Sequence, residues 1–105
     1  MKRMCTITRL IPEKAEEYIK LHNNIWPDVV LASHECNTRN FTIFQLGYFL
    51  INYSEYVGED FEADMAKKAK MPAIIRWKEA TSSCLEPVSP KESVIVLKEV
   101  FHCDF

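Results

Sequence analysis

The sequence predicts an α+β protein, and three observations support that class. Four segments show the alternation or the β-branched and aromatic content of strands. These segments are residues 4–9, 41–46, 48–53 and 94–101. Segments with helical spacing lie between the first and second strands and between the third and fourth, and Gly47 favours a hairpin between the middle two. This order predicts one domain, residues 1–105, with a ferredoxin-like βαββαβ fold of the dimeric α+β barrel type: an antiparallel four-stranded sheet with helices on one face.

The first helix is predicted to begin near Pro12 and to be interrupted at Pro27. Its apolar and aromatic stripe consists of Ala15, Tyr18, Ile19, His22, Ile25 and Trp26. Proline disfavours helical geometry in the residue before it, so the helix either kinks at Trp26 or stops and restarts with Pro27 in its first turn. In both cases the helical segment is expected to continue to about Glu35.

The remaining elements follow from composition and spacing. Residues 36–39 are predicted to form a turn. Residues 59–70 favour a helix with Phe61, Met65 and Ala69 along one side, and Pro72 is expected to start another helix that runs to about Ala80. Residues 81–93 are predicted to be a loop.

Two of the predicted strands, residues 48–53 and 94–101, carry apolar side chains on both sides. One face of the sheet packs against the helices, so the other face must be covered by a partner or form part of a pocket. The sequence therefore predicts a homodimer.

Charge and composition argue against several classes of function. The net charge of −2 is unfavourable for nucleic-acid binding, and we interpret the basic cluster Lys67, Lys68 and Lys70 as a solvated helix face. No apolar run is long enough to cross a membrane, and the first residues do not resemble a signal peptide. The four cysteines form no CxxC pair and His34 and Cys36 have no usual zinc spacing, which predicts a cytoplasmic protein with free thiols and no metal.

Tyr18 and His22 lie one turn apart in a stripe that should be apolar, and Trp26 follows one turn later. One interpretation is an ordinary core in which the hydroxyl and the imidazole find protein partners. The other is a cavity in which a ligand supplies those partners, with the histidine as acid or base and with Trp26 and Trp77 against the apolar face of a sugar.

Three motifs resemble the L-rhamnose mutarotase family across the whole chain. They are EEYIKLHNNIWPD (residues 16–28), GEDFEADMAKKAK (residues 58–70) and LKEVFHCDF (residues 97–105). The resemblance implies a dimeric ferredoxin-like enzyme, free of metals and cofactors, that interconverts the α and β anomers of L-rhamnose. It also implies that His22 is the proton donor and that Tyr18 contacts the sugar.

Two positions depart from the family pattern. Phe41 stands where the family has a sugar-binding tyrosine, and Arg76 with Trp77 stands at the usual tryptophan pair. These changes affect the expected sugar contacts and leave open another sugar, including an acidic one, with Arg76 or Lys78 as its partner.

Three points remain open at the level of sequence. The catalytic base is not identified, and its candidates are Asp28, Tyr48 and water. His34 at a helix end and His102 after the last strand are expected to have structural or surface roles. A monooxygenase-like enzyme of the same architecture is one alternative function. A non-catalytic sugar-binding module is the other.

Overall fold

The computed structural model describes residues 1–105 as five strands and four α-helices. The strands are β1 (Lys2–Leu10), β2 (Thr38–Leu46), β3 (Phe49–Tyr56), β4 (Leu85–Glu86) and β5 (Ile95–Leu97). The helices are α1 (Ala15–Asn23), α2 (Pro27–Glu35), α3 (Phe61–Ala69) and α4 (Pro72–Ser82), and a 3-10 turn, Pro12–Lys14, precedes α1. None of the helices is long and apolar enough to span a membrane.

The sheet is antiparallel and has β1 at its centre. Its order is β2-β3-β1-β4, and β5 also pairs with β1. β4 pairs with Arg9 and Leu10, and β5 pairs with residues 5–7, so the two short strands share one edge of β1. The predicted antiparallel ferredoxin-like architecture is confirmed, with its fourth position filled by two strands.

The predicted last strand, residues 94–101, is too long. Only Ile95–Leu97 pairs with β1, and the following residues are irregular, with Val100 88% and Phe101 76% exposed. Part of the same edge is occupied by Leu85–Glu86, which belongs to the segment predicted as a loop. In the register of β5, residues 98–101 would lie opposite residues 1–4, where β4 leaves the edge free, so strand propensity alone does not extend the ladder.

The first helical segment stops and restarts, which is one of the two predicted outcomes. α1 ends at Asn23, Trp26 is extended (φ −70°, ψ 132°), and Pro27 is the first residue of α2. Proline is favoured at this position because its missing N–H would be unpaired in any helix. As expected, α2 reaches Glu35.

Strand β2 begins at Thr38, inside the segment predicted as a turn. Asn37 (φ 67°) and Asn40 (φ 51°) both adopt the left-handed conformation, which asparagine tolerates better than most residues. The pairing with β3 shifts between Arg39 and Thr42, so β2 carries an irregularity near its start. Phe41 lies within it.

The helices cover one face of the sheet. Leu10 of β1 and Leu50 of β3 pack with Tyr18 of α1 and Cys84 in one core cluster. A second cluster joins α2 and α4 through Val29, Ala32 and Ile74. Side chains alternate along a strand, so the other face presents a different set of residues, here called the open face. Its apolar members include Ile7, Phe44, Leu46, Phe49 and Ile51.

A hydrogen-bonded corner fixes the start of α3 beside the start of β2. Tyr56 donates its hydroxyl to the Asp64 carboxylate, and Asn37 Nδ2 donates to the same carboxylate oxygen at 3.0 Å. The backbone N–H of Asp60 donates to the Tyr56 hydroxyl at 3.1 Å. We call these residues, together with Gly58, the Tyr56 corner.

Candidate active site

A cavity of about 460 Å³ lies among all four helices and the start of β2. Its apolar lining residues are Ile25, Val29, Val30, Phe41, Ile74 and Trp77. Its polar lining residues are His22, Ser33, His34, Thr38, Arg39, Asn40, Lys68 and Lys78. The volume lies within the ordinary range for small-molecule sites, and apolar walls with a few polar groups are typical of them. No group of three or more His, Cys, Asp or Glu side chains has the geometry of a metal site.

His22 lies in the last turn of α1, at the cavity wall. Its Nδ1 is 2.9 Å from the backbone carbonyl oxygen of Tyr18. A carbonyl oxygen only accepts, so Nδ1 carries the proton and donates it. This contact fixes the tautomer and leaves Nε2 available to exchange a proton with a ligand.

Four aromatic rings form a continuous row beside the cavity. The rings of Tyr18 and His22 have centroids 4.3 Å apart, and His22 meets Trp77 edge-on at 5.0 Å. Trp77 in turn meets Trp26 edge-on at 5.0 Å. Edge-to-face contacts at these distances are favourable, so the imidazole is held on both sides by rings from α1 and α4.

Tyr18 lies behind His22 and not on the cavity lining. Only 7% of its surface is exposed, and it belongs to the core cluster with Leu10 and Leu50. Burial, with a smaller effect from Cys84, raises the pKa of Tyr18 to about 12, so its hydroxyl stays protonated. Its observed contacts support the His22 ring and the core.

Two of the other predicted contact residues also lie outside the lining. Trp26 packs against Trp77 and is half-buried. Arg76 is exposed and pairs with Asp28, with 2.9 Å between Nη2 and Oδ2. The pair joins α4 to the first turn of α2, so Arg76 and the candidate base Asp28 satisfy each other at the surface.

Phe41 and Trp77 do line the cavity, as does His22. Phe41 is 58% exposed and follows the left-handed Asn40 in the irregular part of β2. Of the six predicted site residues, the structure therefore brings His22, Phe41 and Trp77 together at the cavity.

Charged residues on the lining are the part that sequence patterns miss. The expectation of a solvated helix face is wrong for Lys68, which is half-buried and lines the cavity, although its neighbour Lys67 pairs at the surface with Glu35. The inward side of α3 carries Phe61, Met65 and Lys68 at helical spacing, and Ala69 is exposed. That spacing is the signal that could have identified Lys68.

Two further residues, His34 and Arg39, line the cavity at positions that the sequence does not predict. His34 lines the cavity from α2, whereas its position at a helix end predicts only a contact with the helix dipole. Arg39 is anchored by hydrogen bonds from Nη1 to the carbonyl oxygens of His34 (2.9 Å) and Thr38 (3.0 Å).

Burial and the nearby charge of Lys78 lower the pKa of Lys68, and the Cys36 thiol opposes this shift. The Lys68 ammonium donates a long hydrogen bond, 3.4 Å, to the Thr38 hydroxyl. Lys68 from α3 and Lys78 from α4 therefore both contribute positive charge to the cavity lining.

Comparison with known proteins identifies the family. An L-rhamnose mutarotase from Oceanobacillus iheyensis is 30% identical over 105 residues, covering 99% of this chain and 100% of that protein. The crystal structure of an L-rhamnose mutarotase from Formosa agariphila superimposes with a TM-score of 0.78 at 18% identity, over 99% of this chain and 100% of the other. The structure of the tetracenomycin F2 cyclase from Streptomyces glaucescens superimposes with a TM-score of 0.68 at 18% identity, over 100% of this chain and 98% of the other. This similarity indicates a shared fold. The family model for L-rhamnose mutarotase matches residues 3–103, and the chain belongs to the L-rhamnose mutarotase family.

Proposed function

We propose that this protein interconverts the α and β anomers of L-rhamnose by acid–base ring opening and closure, with His22 as the acid. Membership of the family makes the chain a mutarotase, an enzyme of the carbohydrate epimerase class. The observation that supports the mechanism is the position of His22, whose Nε2 is left free at the wall of a cavity of suitable size.

The reaction requires two proton transfers. A base removes the proton from the anomeric hydroxyl, its electrons form the C1 carbonyl, and the bond between C1 and the ring oxygen breaks. His22, protonated at Nε2, delivers its proton to the departing ring oxygen. After rotation about the C1–C2 bond the steps reverse, and closure on the other face of the carbonyl gives the other anomer.

His34 is our candidate for the base. Among the ionisable side chains on the cavity lining, only the imidazoles of His22 and His34 have a ring nitrogen that can accept a proton, because the others are arginine and lysine. Asp28 is paired with Arg76, and Tyr48 is not part of the lining. Water held in the cavity is the alternative.

Phe41 and Trp77 are proposed to pack against the apolar face of the sugar. Both line the cavity, and Trp77 also contacts the His22 ring, which would place the sugar beside the acid. Trp26 would hold Trp77 and Tyr18 would hold His22, which makes both of them positioning residues.

The test is anomer exchange of L-rhamnose measured by saturation-difference proton NMR. Replacing His22 by alanine should reduce the enzymatic exchange rate by roughly 10²–10⁴-fold, the usual contribution of one acid or base. His102→Ala is the matched control, because His102 pairs with Asp104 and does not line the cavity. Wild-type exchange that His22→Ala leaves intact, in a protein with an unchanged circular dichroism spectrum, would refute the role of His22.

We also propose that the protein is a homodimer formed through the open face. Its side chains Phe44, Leu46 and Phe49 are 62%, 69% and 39% exposed, and they adjoin Ile7 and Ile51 on the same face. Contiguous exposed apolar side chains favour association, since covering them removes apolar surface from water.

Sedimentation of matched leucine variants tests this interface. Leu46→Asp should dissociate the dimer, whereas Leu31→Asp on α2, where the leucine is 70% exposed, should not. A wild-type protein that sediments as a monomer at all concentrations would contradict the proposal.

A cytoplasmic location is proposed from the thiols. All four cysteines are free, and Cys36 and Cys84 are buried in separate places, which suits a reducing compartment. Fractionation of producing cells should recover the protein with cytoplasmic markers.

A further inference from the structure

Three cations line the cavity, and none of them has an acidic partner. The lining contains Arg39, Lys68 and Lys78 and no aspartate or glutamate. None of the three takes part in the ion pairs of the structure. The nearby cations Lys67 and Arg76 do pair with carboxylates. Other lysines, such as Lys20 and Lys70, are also unpaired, but they do not line this cavity, whereas Arg39, Lys68 and Lys78 share one lining that has no acidic side chain.

General basicity does not explain this concentration of positive charge, because the chain as a whole has a net charge of −2. Charges of one sign in a cleft with apolar walls focus their field inside it. The apolar walls come from residues such as Ile25, Val29 and Ile74, so positive potential collects where the ligand would lie.

The cations are also anchored in a way that leaves donors free. Arg39 uses Nη1 for the two backbone carbonyl oxygens, and a guanidinium has further N–H groups on Nη2 and Nε. Lys68 makes one long bond to the Thr38 hydroxyl, although an ammonium has three donors. Every oxygen that these groups contact is neutral. Bringing an anion into the cavity would stabilise Lys68, which burial and Lys78 disfavour in its charged form.

We propose that the cavity binds an aldose carrying an anionic group, a carboxylate or a phosphate, more tightly than the neutral aldose of the same skeleton. This inference rests on the proposed mutarotase function and goes beyond it by naming a class of aldose, other than the neutral L-rhamnose, that the cavity would bind. In this arrangement Phe41 and Trp77 contact the apolar face of the sugar ring, and His22 lies beside the ring oxygen of the sugar. The cations Arg39, Lys68 and Lys78 surround its charged substituent.

Tryptophan fluorescence offers a binding assay that does not depend on turnover. The chain has two tryptophans; Trp77 lines the cavity and Trp26 packs against it, so both report on the same site. The probes are D-glucose, D-glucuronate and D-glucose 6-phosphate, which differ only at C6, together with D-galactose and D-galacturonate. The uronates and the phosphate ester distinguish between the two sources of negative charge.

We expect at least one charged sugar to bind about tenfold more tightly than its neutral counterpart, the difference between a charge-assisted and a neutral hydrogen bond. Raising the salt concentration should reduce this advantage through screening. Lys78→Gln should largely remove it. Lys70→Gln, the same change at an exposed lysine that does not line the cavity, should leave it unchanged.

Four results would overturn the inference. They are absence of any charged-sugar binding, equal dissociation constants within each sugar pair, an advantage that Lys78→Gln retains in full, and binding of acetate or inorganic phosphate as tightly as of the charged sugars. The proposed function is assessed separately by L-rhamnose exchange, so a protein that accelerates that exchange without a preference for charge would refute only the inference.

Discussion

Two polar regions meet at the start of β2, and they differ in how their polar groups are paired. In the Tyr56 corner, the hydroxyl of Tyr56, the amide of Asn37 and the carboxylate of Asp64 all hydrogen-bond to one another or to backbone. In the cavity, Arg39 lies two positions after Asn37 and Lys68 lies four positions after Asp64, and both line a space that contains no acidic side chain. Groups that satisfy each other stabilise the fold, and groups left without a partner are available to a ligand.

This comparison predicts that changes in the cavity alter activity and that changes in the corner alter stability. After His22→Ala, the largest expected effect is that of His34→Ala. Loss of the proposed base should lower kcat for anomer exchange by roughly 10²-fold, because one proton transfer is then left to water. The free energy of unfolding should stay close to that of the wild type, since the His34 side chain forms no hydrogen bond in the structure.

His102→Ala removes a histidine that does not line the cavity, so it is the control and should leave the rate of exchange unchanged. An unaltered rate in His34→Ala would assign the base to water.

Gly58→Ala should affect only the corner. An added Cβ would overlap the Tyr56 hydroxyl and lie 2.7 Å from Asn37 Nδ2, so the hydrogen-bonded groups would have to move apart. We expect the free energy of unfolding to fall by roughly 1–3 kcal/mol, the usual cost of overpacking, with kcat unchanged below the melting temperature. Denaturation in urea measures this, and Glu59→Ala at the adjacent exposed position serves as the control. If Gly58→Ala is as stable as the wild type, the hydrogen-bonded groups of the Tyr56 corner can move apart at no measurable cost in free energy.

The smallest expected effect is a change in the acid dependence of stability. Hydrogen bonds from Tyr56 and then Asn37 hold the pKa of Asp64 below its ordinary value of 3.8. Their contribution is therefore complete above that value and is lost as the pH falls through the lower pKa of the folded protein. Wild-type stability should fall on acidification, and Tyr56→Phe should show a shallower slope. Urea midpoints across acidic pH check this, and parallel slopes would contradict it.

Much of the fold follows from the sequence because its signals are local. Pro27 marks the restart of a helix through its missing N–H, and Gly47 (φ 61°) marks the hairpin between β2 and β3. The last strand is different, because residues 98–101 have strand-forming side chains and would lie opposite residues 1–4 in the register of β5, yet they do not pair with β1. Pairing depends on contacts across the whole sheet and cannot be obtained from local propensity.

The residues of the candidate site also fall into two groups, those with a local sequence signal and those whose position depends on distant contacts. The HNNIWPD motif identifies His22, and the family pattern identifies Phe41 and Trp77, all of which line the cavity. Whether an arginine or lysine is paired depends on contacts between distant segments. Arg76 meets Asp28 across 48 positions, whereas Lys78, two residues later, meets no carboxylate. Sequence alone does not distinguish the two.

The central position of β1 also has a consequence for how the protein is made. The first strand to be synthesised must wait for the last one, and Arg3 pairs with Glu99, a residue 96 positions away. Contacts of such separation form slowly, and the bare edge of β1 can meanwhile pair with other chains. A nascent chain therefore cannot close its sheet before Ile95–Leu97 has left the ribosome, and chains that terminate before residue 95 should aggregate or be degraded by proteases.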